Sequence, residues 1–299
     1  SHTYASAKAL TTMSTLKGTA PNASVTFYGW ATSANGTSRS YTDGQSVTSL
    51  TATAGGIVKL YAIYRSAGVV ITYKSGVNSA TSKTSGTYYY YNAATSVSIT
   101  TGTPAAITSW STLGWRDDTS VGSIEYSSAT AYNFSASKTL YGVYSRSYTA
   151  NFYSGVSKAT TKTKASSTSY YNSSAAATPT TVSITLDTQA NSADISNWTE
   201  LGWRDDTTAG AAEYSYGASA TVAWGTNFYS VYSRTLTVSY NCNSGSSSTS
   251  STTATVYLNA NSTTTSSQAV SLRANSCTRT GYTFSKWAAG SASGTQYAA

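Results

Sequence analysis

LGWRDDTS at 113–120 and LGWRDDTT at 201–208 are nearly the same octapeptide, written twice in a chain of 299 residues. The tryptophan each contains recurs in FYGW and FSKW, so that Trp30, Trp115, Trp203 and Trp287 follow one another at steps of 85, 88 and 84. A second marker keeps the same register: KLYAIYRS, TLYGVYSR and NFYSVYSR place Tyr61, Tyr141 and Tyr229 at 31, 26 and 26 residues after the first three tryptophans. Two independent markers at one spacing define a tandem repeat. Its repeated aromatics, Trp30, Trp115, Trp203, Trp287, Tyr61, Tyr141 and Tyr229, are expected to fill the core of each unit.

Upstream of the tryptophans the pattern is that of strands. Val69, Ile71 and Tyr73 fall on one side of an alternating segment, as do Tyr148, Ala150 and Phe152, and Leu236, Val238 and Tyr240. Enrichment in Val, Ile, Thr and Tyr agrees. Each unit therefore reads as a hairpin, an irregular connection, a short strand ending at Gly-Trp, a polar turn and a return strand. The connection has room for one or two helical turns at 105–113. The clearest helix candidate is 5–18, where Leu10, Met13 and Leu16 recur every three residues and Gly18 stands at the end.

Composition limits what such a chain can do. Charged residues are 9% of the sequence, against about 25% in ordinary soluble domains. The net charge is +8, but Lys and Arg are scattered singly, without the patch or stripe of a nucleic-acid footprint. The excess suits contact with anionic wall polymers or glycans. No run of about 18 apolar residues is present, so membrane insertion is not expected, and the N-terminus lacks the pattern of a signal peptide, as a mature or excised segment would. Cys242 and Cys277, the two cysteines, suggest one disulfide and an oxidising, extracellular setting, with two free buried thiols as the alternative. Closing a loop of about 35 residues is worth roughly 4 kcal/mol in the chain-entropy treatment.

GYTFSKWAAGSASGTQYAA at 281–299, FYGWATSANGTSRSY with KLYAIY, and LGWRDDTSVGSIEY with TLYGVY resemble the Listeria-Bacteroides repeat, the B repeat of internalin-type bacterial surface proteins. The resemblance implies a small β-grasp-like unit, found in tandem on secreted or wall-attached proteins as stalks and adhesive modules without enzymatic activity. The units here are longer than is usual for the family by an extended hairpin. The expected architecture is mainly β, with tandem β-grasp-like units forming an elongated rod. Units fall at 67–146 and 147–234, flanked by 1–66 without its first hairpin and 235–299 without its last strand. Either the chain is a fragment of a longer array, or its ends complement each other between molecules, making the chain its own partner head to tail.

Each candidate site has two readings. Arg116, Asp117, Asp118 and Glu125, like Arg204, Asp205, Asp206 and Glu213, could gather oxygens around calcium. The built-in arginine and the habit of aspartate to bond nearby amides favour a structural turn, and no metal is expected. Catalysis has little support. The single histidine, His2, adjoins Ser1 and is either native or a tag remnant, and neither a nucleophile–base pair nor a phosphate loop is present. No cofactor is implied. Tyr88, Tyr89, Tyr90 and Tyr91 would alternate, two inward and two outward, the outward pair offering contacts to a glycan or protein. Trp110 and Trp198, each five residues before its partner tryptophan, point to packing, whereas the unrepeated Trp224 suits a specific contact. The function expected is a non-enzymatic extracellular stalk, filament subunit or adhesive region of a bacterial surface protein. A carbohydrate-binding module or a phage fibre or decoration protein is the alternative, and the partner is the chain itself or a host or cell-surface protein or glycan.

Overall fold

A computed structural model describes residues 6–91, 94–246, 251–263 and 269–298; His2 and the question of a tag remnant lie outside these residues. Among the described residues the chain is mainly β and forms no α-helix. The helix expected over 5–18 is corrected to a two-residue strand, β1 (Lys8–Ala9), followed by a turn. Thr12 Oγ1 accepts the amide of Thr15 at 3.3 Å and Asp43 Oδ1 accepts that of Met13 at 2.9 Å, so side chains capture donors in the second half of the segment. Residues 105–113 likewise hold no helix: Ile107 and Trp110 face each other across a tight turn that leads into a strand.

Contacts divide the chain into two compact units, Ser1–Arg146 with Ser169–Pro179, and Ser147–Thr168 with Thr180–Ala299. In the first, β2 (Val25–Ala31) runs antiparallel to β4 (Tyr61–Ser66), and β3 (Ser46–Val47) pairs with β1. A hairpin follows, β5 (Val69–Ser75) with β6 (Thr81–Thr87). β7 (Val97–Thr100) pairs with β10 (Ala131–Phe134), and β8 (Ser111–Arg116) with β9 (Tyr126–Ser127). The first half of β11 (Lys138–Ser154) lies between β5, to which it is parallel, and β8, to which it is antiparallel.

The second unit repeats this arrangement. The remainder of β11 pairs with β12 (Thr160–Asn172), and β13 (Thr181–Thr185) pairs with β15 (Ser219–Ala223). β16 (Asn227–Val238) runs parallel to β11 and antiparallel to β14 (Thr199–Arg204). It continues without interruption into an antiparallel ladder with β17 (Thr252–Asn259). β18 (Trp287–Ala288) and β19 (Gln296–Tyr297) form a last short pair.

Alternation along the strands builds the cores. Val69, Ile71 and Tyr73 face Val97, Ile99, Trp115, Phe134 and Leu140 in the first unit. Tyr148, Ala150 and Phe152 face Val182, Ile184, Trp203 and Phe228 in the second. Each large side chain so buried contributes about 1.5–3 kcal/mol. Trp30, Trp115 and Trp203 are buried as expected, but Trp287 is only half-buried. The tyrosines of the return strands need correction. Tyr61 is 37% exposed, and Tyr141 and Tyr229 are half-buried. Their neighbours Leu140 and Phe228 point inward, so strand alternation turns these tyrosines out, while Val143 and Tyr144, or Val231 and Tyr232, are buried opposite a bulge in the facing strand.

That bulge explains the Gly-Trp pair. In each of the first three repeats the ladder slips by one residue just before the glycine, at Tyr28, Leu113 and Leu201. A Cβ on Gly29, Gly114 or Gly202 would lie 2.7, 2.6 or 2.3 Å from the carbonyl oxygen of Tyr41, Tyr126 or Tyr214. The turn that follows crosses too close to the strand for any side chain there.

Candidate functional site

The repeated charged turn is closed upon itself. Arg116 Nε and Nη2 donate to both oxygens of Asp118 at 2.7 and 3.0 Å, Nη2 donates to Glu125 at 2.9 Å, and Nη1 to the Ser123 carbonyl at 2.6 Å. Asp118 also accepts the amide of Ser120, and Glu125 that of Asp117. Arg204, Asp206, Thr208 and Glu213 reproduce the set in the second unit. Arginine and the backbone amide hold the carboxyl groups of Asp118 and Asp206 far below the usual carboxylate range. Asp117 is lowered by the ammonium of Lys138, which contacts it directly. This is the turn-forming geometry, in which the carboxylates are committed to arginine, lysine, tyrosine and main chain.

Two asparagines that sequence reasoning passed over complete the turn. Buried Asn172 donates through Nδ2 to the carbonyls of Asp118 and Ser120 at 3.1 and 2.8 Å, and its Oδ1 accepts from Ser174. Asn259 donates to the carbonyls of Asp206 and Thr208. Their signal was available: each ends the strand after an aromatic or apolar pair, in SYYN and VYLN.

Trp110 is buried against Tyr171, Trp198 is half-buried beneath the guanidinium of Arg234, and Trp224 packs edge-on against Tyr148. All three serve packing. Lys162 Nζ donates to Asn191 Oδ1 and Asn191 Nδ2 to Asp187 Oδ1, both at 2.7 Å, so the polar groove they line is satisfied internally. Cys242 and Cys277 form a disulfide with Cα atoms 5.5 Å apart.

The tyrosine run behaves differently from the rest. Only Tyr89 is buried; Tyr90 is half-buried, and Tyr88 and Tyr91 are exposed, so the expected two-in, two-out split becomes one in and three at least partly out. The chain bends at Tyr91 after pairing Tyr90 with Arg65, and the segment lies on β4 as a single bridge rather than a full strand. Arg65 lies over the rings of both Tyr28 and Tyr88, 4.0 and 4.4 Å from their centroids. Arg39 covers Tyr28 at 4.6 Å, and Tyr90 packs against Tyr28 at 5.9 Å. Tyr28, Arg39, Arg65, Tyr88 and Tyr90 thus form one cluster at the bulge of β2. Among the described residues no carboxylate pairs with either arginine.

Comparison with protein-family models, with curated proteins and with solved structures found no match, so the resemblance to the Listeria-Bacteroides repeat stands on the residues quoted for it alone.

Proposed function

We propose that the chain is a non-enzymatic, load-bearing repeat region of an extracellular surface or filament protein, built of tandem β-grasp-like units. One observation carries the reading: an arginine–carboxylate turn, its asparagine clamp and an indole hydrogen bond, polar groups that could have formed a catalytic or metal site, are used as architecture in two units. Arg116 and Arg204, Asn172 and Asn259, and the indole N–H groups of Trp115 and Trp203 make the same bonds in both units. Recurrence of one set of internal bonds in two units suits reinforcement along a chain of repeats.

Two further features support it. β16 serves two successive repeats as one strand, with no linker to yield at the junction. A disulfide in the last part suits an oxidising extracellular setting. Single-molecule stretching of the whole chain tests the reading. Discrete rupture peaks with reproducible contour increments are expected; featureless extension at low force would overturn it.

A further inference from the structure

At the β2 bulge the first repeat gains arginines and tyrosines that the others lack. At the bulged position the other repeats carry Leu113 and Leu201, and the first carries Tyr28. Two residues before the tyrosine that pairs with the tryptophan they carry Ile124 and Ala212, and the first carries Arg39. Opposite Tyr257 on β17 stands Ser233; opposite Tyr90 stands Arg65. Two residues before these tyrosines lie Thr255 and Tyr88. Small and aliphatic positions have become two arginines and two tyrosines on one face.

Among the described residues neither arginine meets a carboxylate. Seven Lys and Arg precede Arg116 but only one carboxylate, Asp43, which is engaged with the amide of Met13. Of the guanidinium donors of Arg39, one reaches the Tyr28 carbonyl at 3.2 Å. Stacking on tyrosine orients a guanidinium and strips water from its faces, while its edge donors stay open for a bidentate oxyanion. Beside them the exposed Tyr88 offers an aromatic edge and face to the C–H surface of a sugar ring. Two guanidiniums are too few for the string of phosphate contacts that nucleic-acid affinity requires.

We infer that Tyr28, Arg39, Arg65, Tyr88 and Tyr90 form a binding site for an acidic polysaccharide, a carboxylate or sulfate engaging the two arginines and a sugar ring lying on Tyr88. The site is local to the first repeat and does not depend on the load-bearing role of the chain.

Calorimetric titration of the full chain with oligogalacturonate, sulfated dextran, neutral dextran and a single-stranded oligonucleotide tests it. The first two separate carboxylate from sulfate as the preferred group, and binding of either supports the site. An Arg39→Gln/Arg65→Gln variant is compared with Lys17→Gln/Lys59→Gln, which removes the same charge from exposed positions elsewhere, and thermal melts confirm that both fold. The arginine pair should weaken binding by at least about tenfold, with the lysine pair close to wild type. An equal loss in both variants, binding of the oligonucleotide as tight as that of the acidic glycans, or no binding of either acidic glycan would overturn the assignment. Should the double variant melt early, Tyr88→Ser, which substitutes an exposed side chain, must weaken binding by itself for the site to stand.

Discussion

Asn259 donates from Nδ2 to the backbone carbonyl of Asp206 at 3.2 Å, across 53 residues of sequence. The same side chain reaches the Thr208 carbonyl at 3.0 Å and is fully buried. Asn259→Ala leaves two turn carbonyls unpaired and should cost about 2–3 kcal/mol in urea unfolding. Asn259→Asp keeps the shape, removes both donors and sets a carboxylate against two carbonyls, so it should cost more than alanine. Equal losses for the two variants would show that packing alone matters at this site.

The tryptophans, equivalent by sequence, should separate by substitution. Trp115 Nε1 donates to the Gly102 carbonyl at 2.7 Å and Trp203 Nε1 to the Asp187 carbonyl at 2.9 Å, whereas Trp30 Nε1 is buried with no partner among the described residues. Phenylalanine removes the indole donor in each case. At 203 it also strands a carbonyl; at 30 it removes an unpaired group. Trp203→Phe should therefore destabilise by about 1–3 kcal/mol more than Trp30→Phe, measured on each variant by chemical denaturation.

These contrasts mark how far the sequence could be read. The repeat, its period and the inward faces of Val69, Ile71, Tyr73, Tyr148, Ala150 and Phe152 were legible, because a two-residue alternation is a local property. The core tyrosine was misassigned by a few positions, since Tyr61, Tyr141 and Tyr229 are the regular markers but Leu140 and Phe228 beside them take the inward face, and Tyr144 and Tyr232 are the buried tyrosines. Helical spacing at 5–18 was overridden by Thr12 and Asp43 taking the amides of Thr15 and Met13. The arginine–tyrosine cluster was hidden for another reason: Arg39, Arg65 and Tyr88 are scattered in sequence, and only the folding of β2, β4 and the tyrosine run brings them onto Tyr28.

Glu200 should be a liability that acid relieves. Both carboxylate oxygens are buried without a hydrogen-bond partner; Ser192 and Gln189 lie near but outside bonding geometry. Burial first, then the charge of Asp194, raises its pKa above the ordinary 4.5. The folded state thus holds its proton more tightly than the unfolded state, and stability gains as pH falls from neutral through the raised value, levelling off below 4.5. Asp118 and Asp206 act oppositely and lower down: their stabilisation is present above the usual carboxylate range and fades only in stronger acid. The equivalent position in the previous repeat is Thr112. Glu200→Thr should raise the melting temperature at pH 7 and abolish the gain between pH 7 and 4.5. A variant that melts lower at pH 7 would show that the carboxylate has a partner it depends on.

Reduction should act on one end of the second unit. Cys242 lies two residues beyond Tyr240, whose ring packs at a tilt against Trp287, centroids 4.7 Å apart, and whose hydroxyl accepts the Arg273 amide at 3.0 Å. Trp287, only half-buried, donates from Nε1 to the Arg273 carbonyl at 3.0 Å, so the disulfide ties down the stretch that follows β17, whereas β17 itself is held by its ladder with β16. Losing a loop closure of 35 residues removes roughly 4 kcal/mol, more than such a segment can spare. Trp203, by contrast, is buried among Phe152, Phe228 and Tyr216 and bonded to Asp187, none of which the disulfide touches. On reduction, tryptophan fluorescence should shift partway to the red, and proteolysis should cut first between 260 and 298. The fragment that keeps β17 and Asn259 should retain a cooperative melt close to that of the oxidised protein. Loss of the Trp203 core at the same reductant concentration would mean that the disulfide stabilises the whole second unit, not its end.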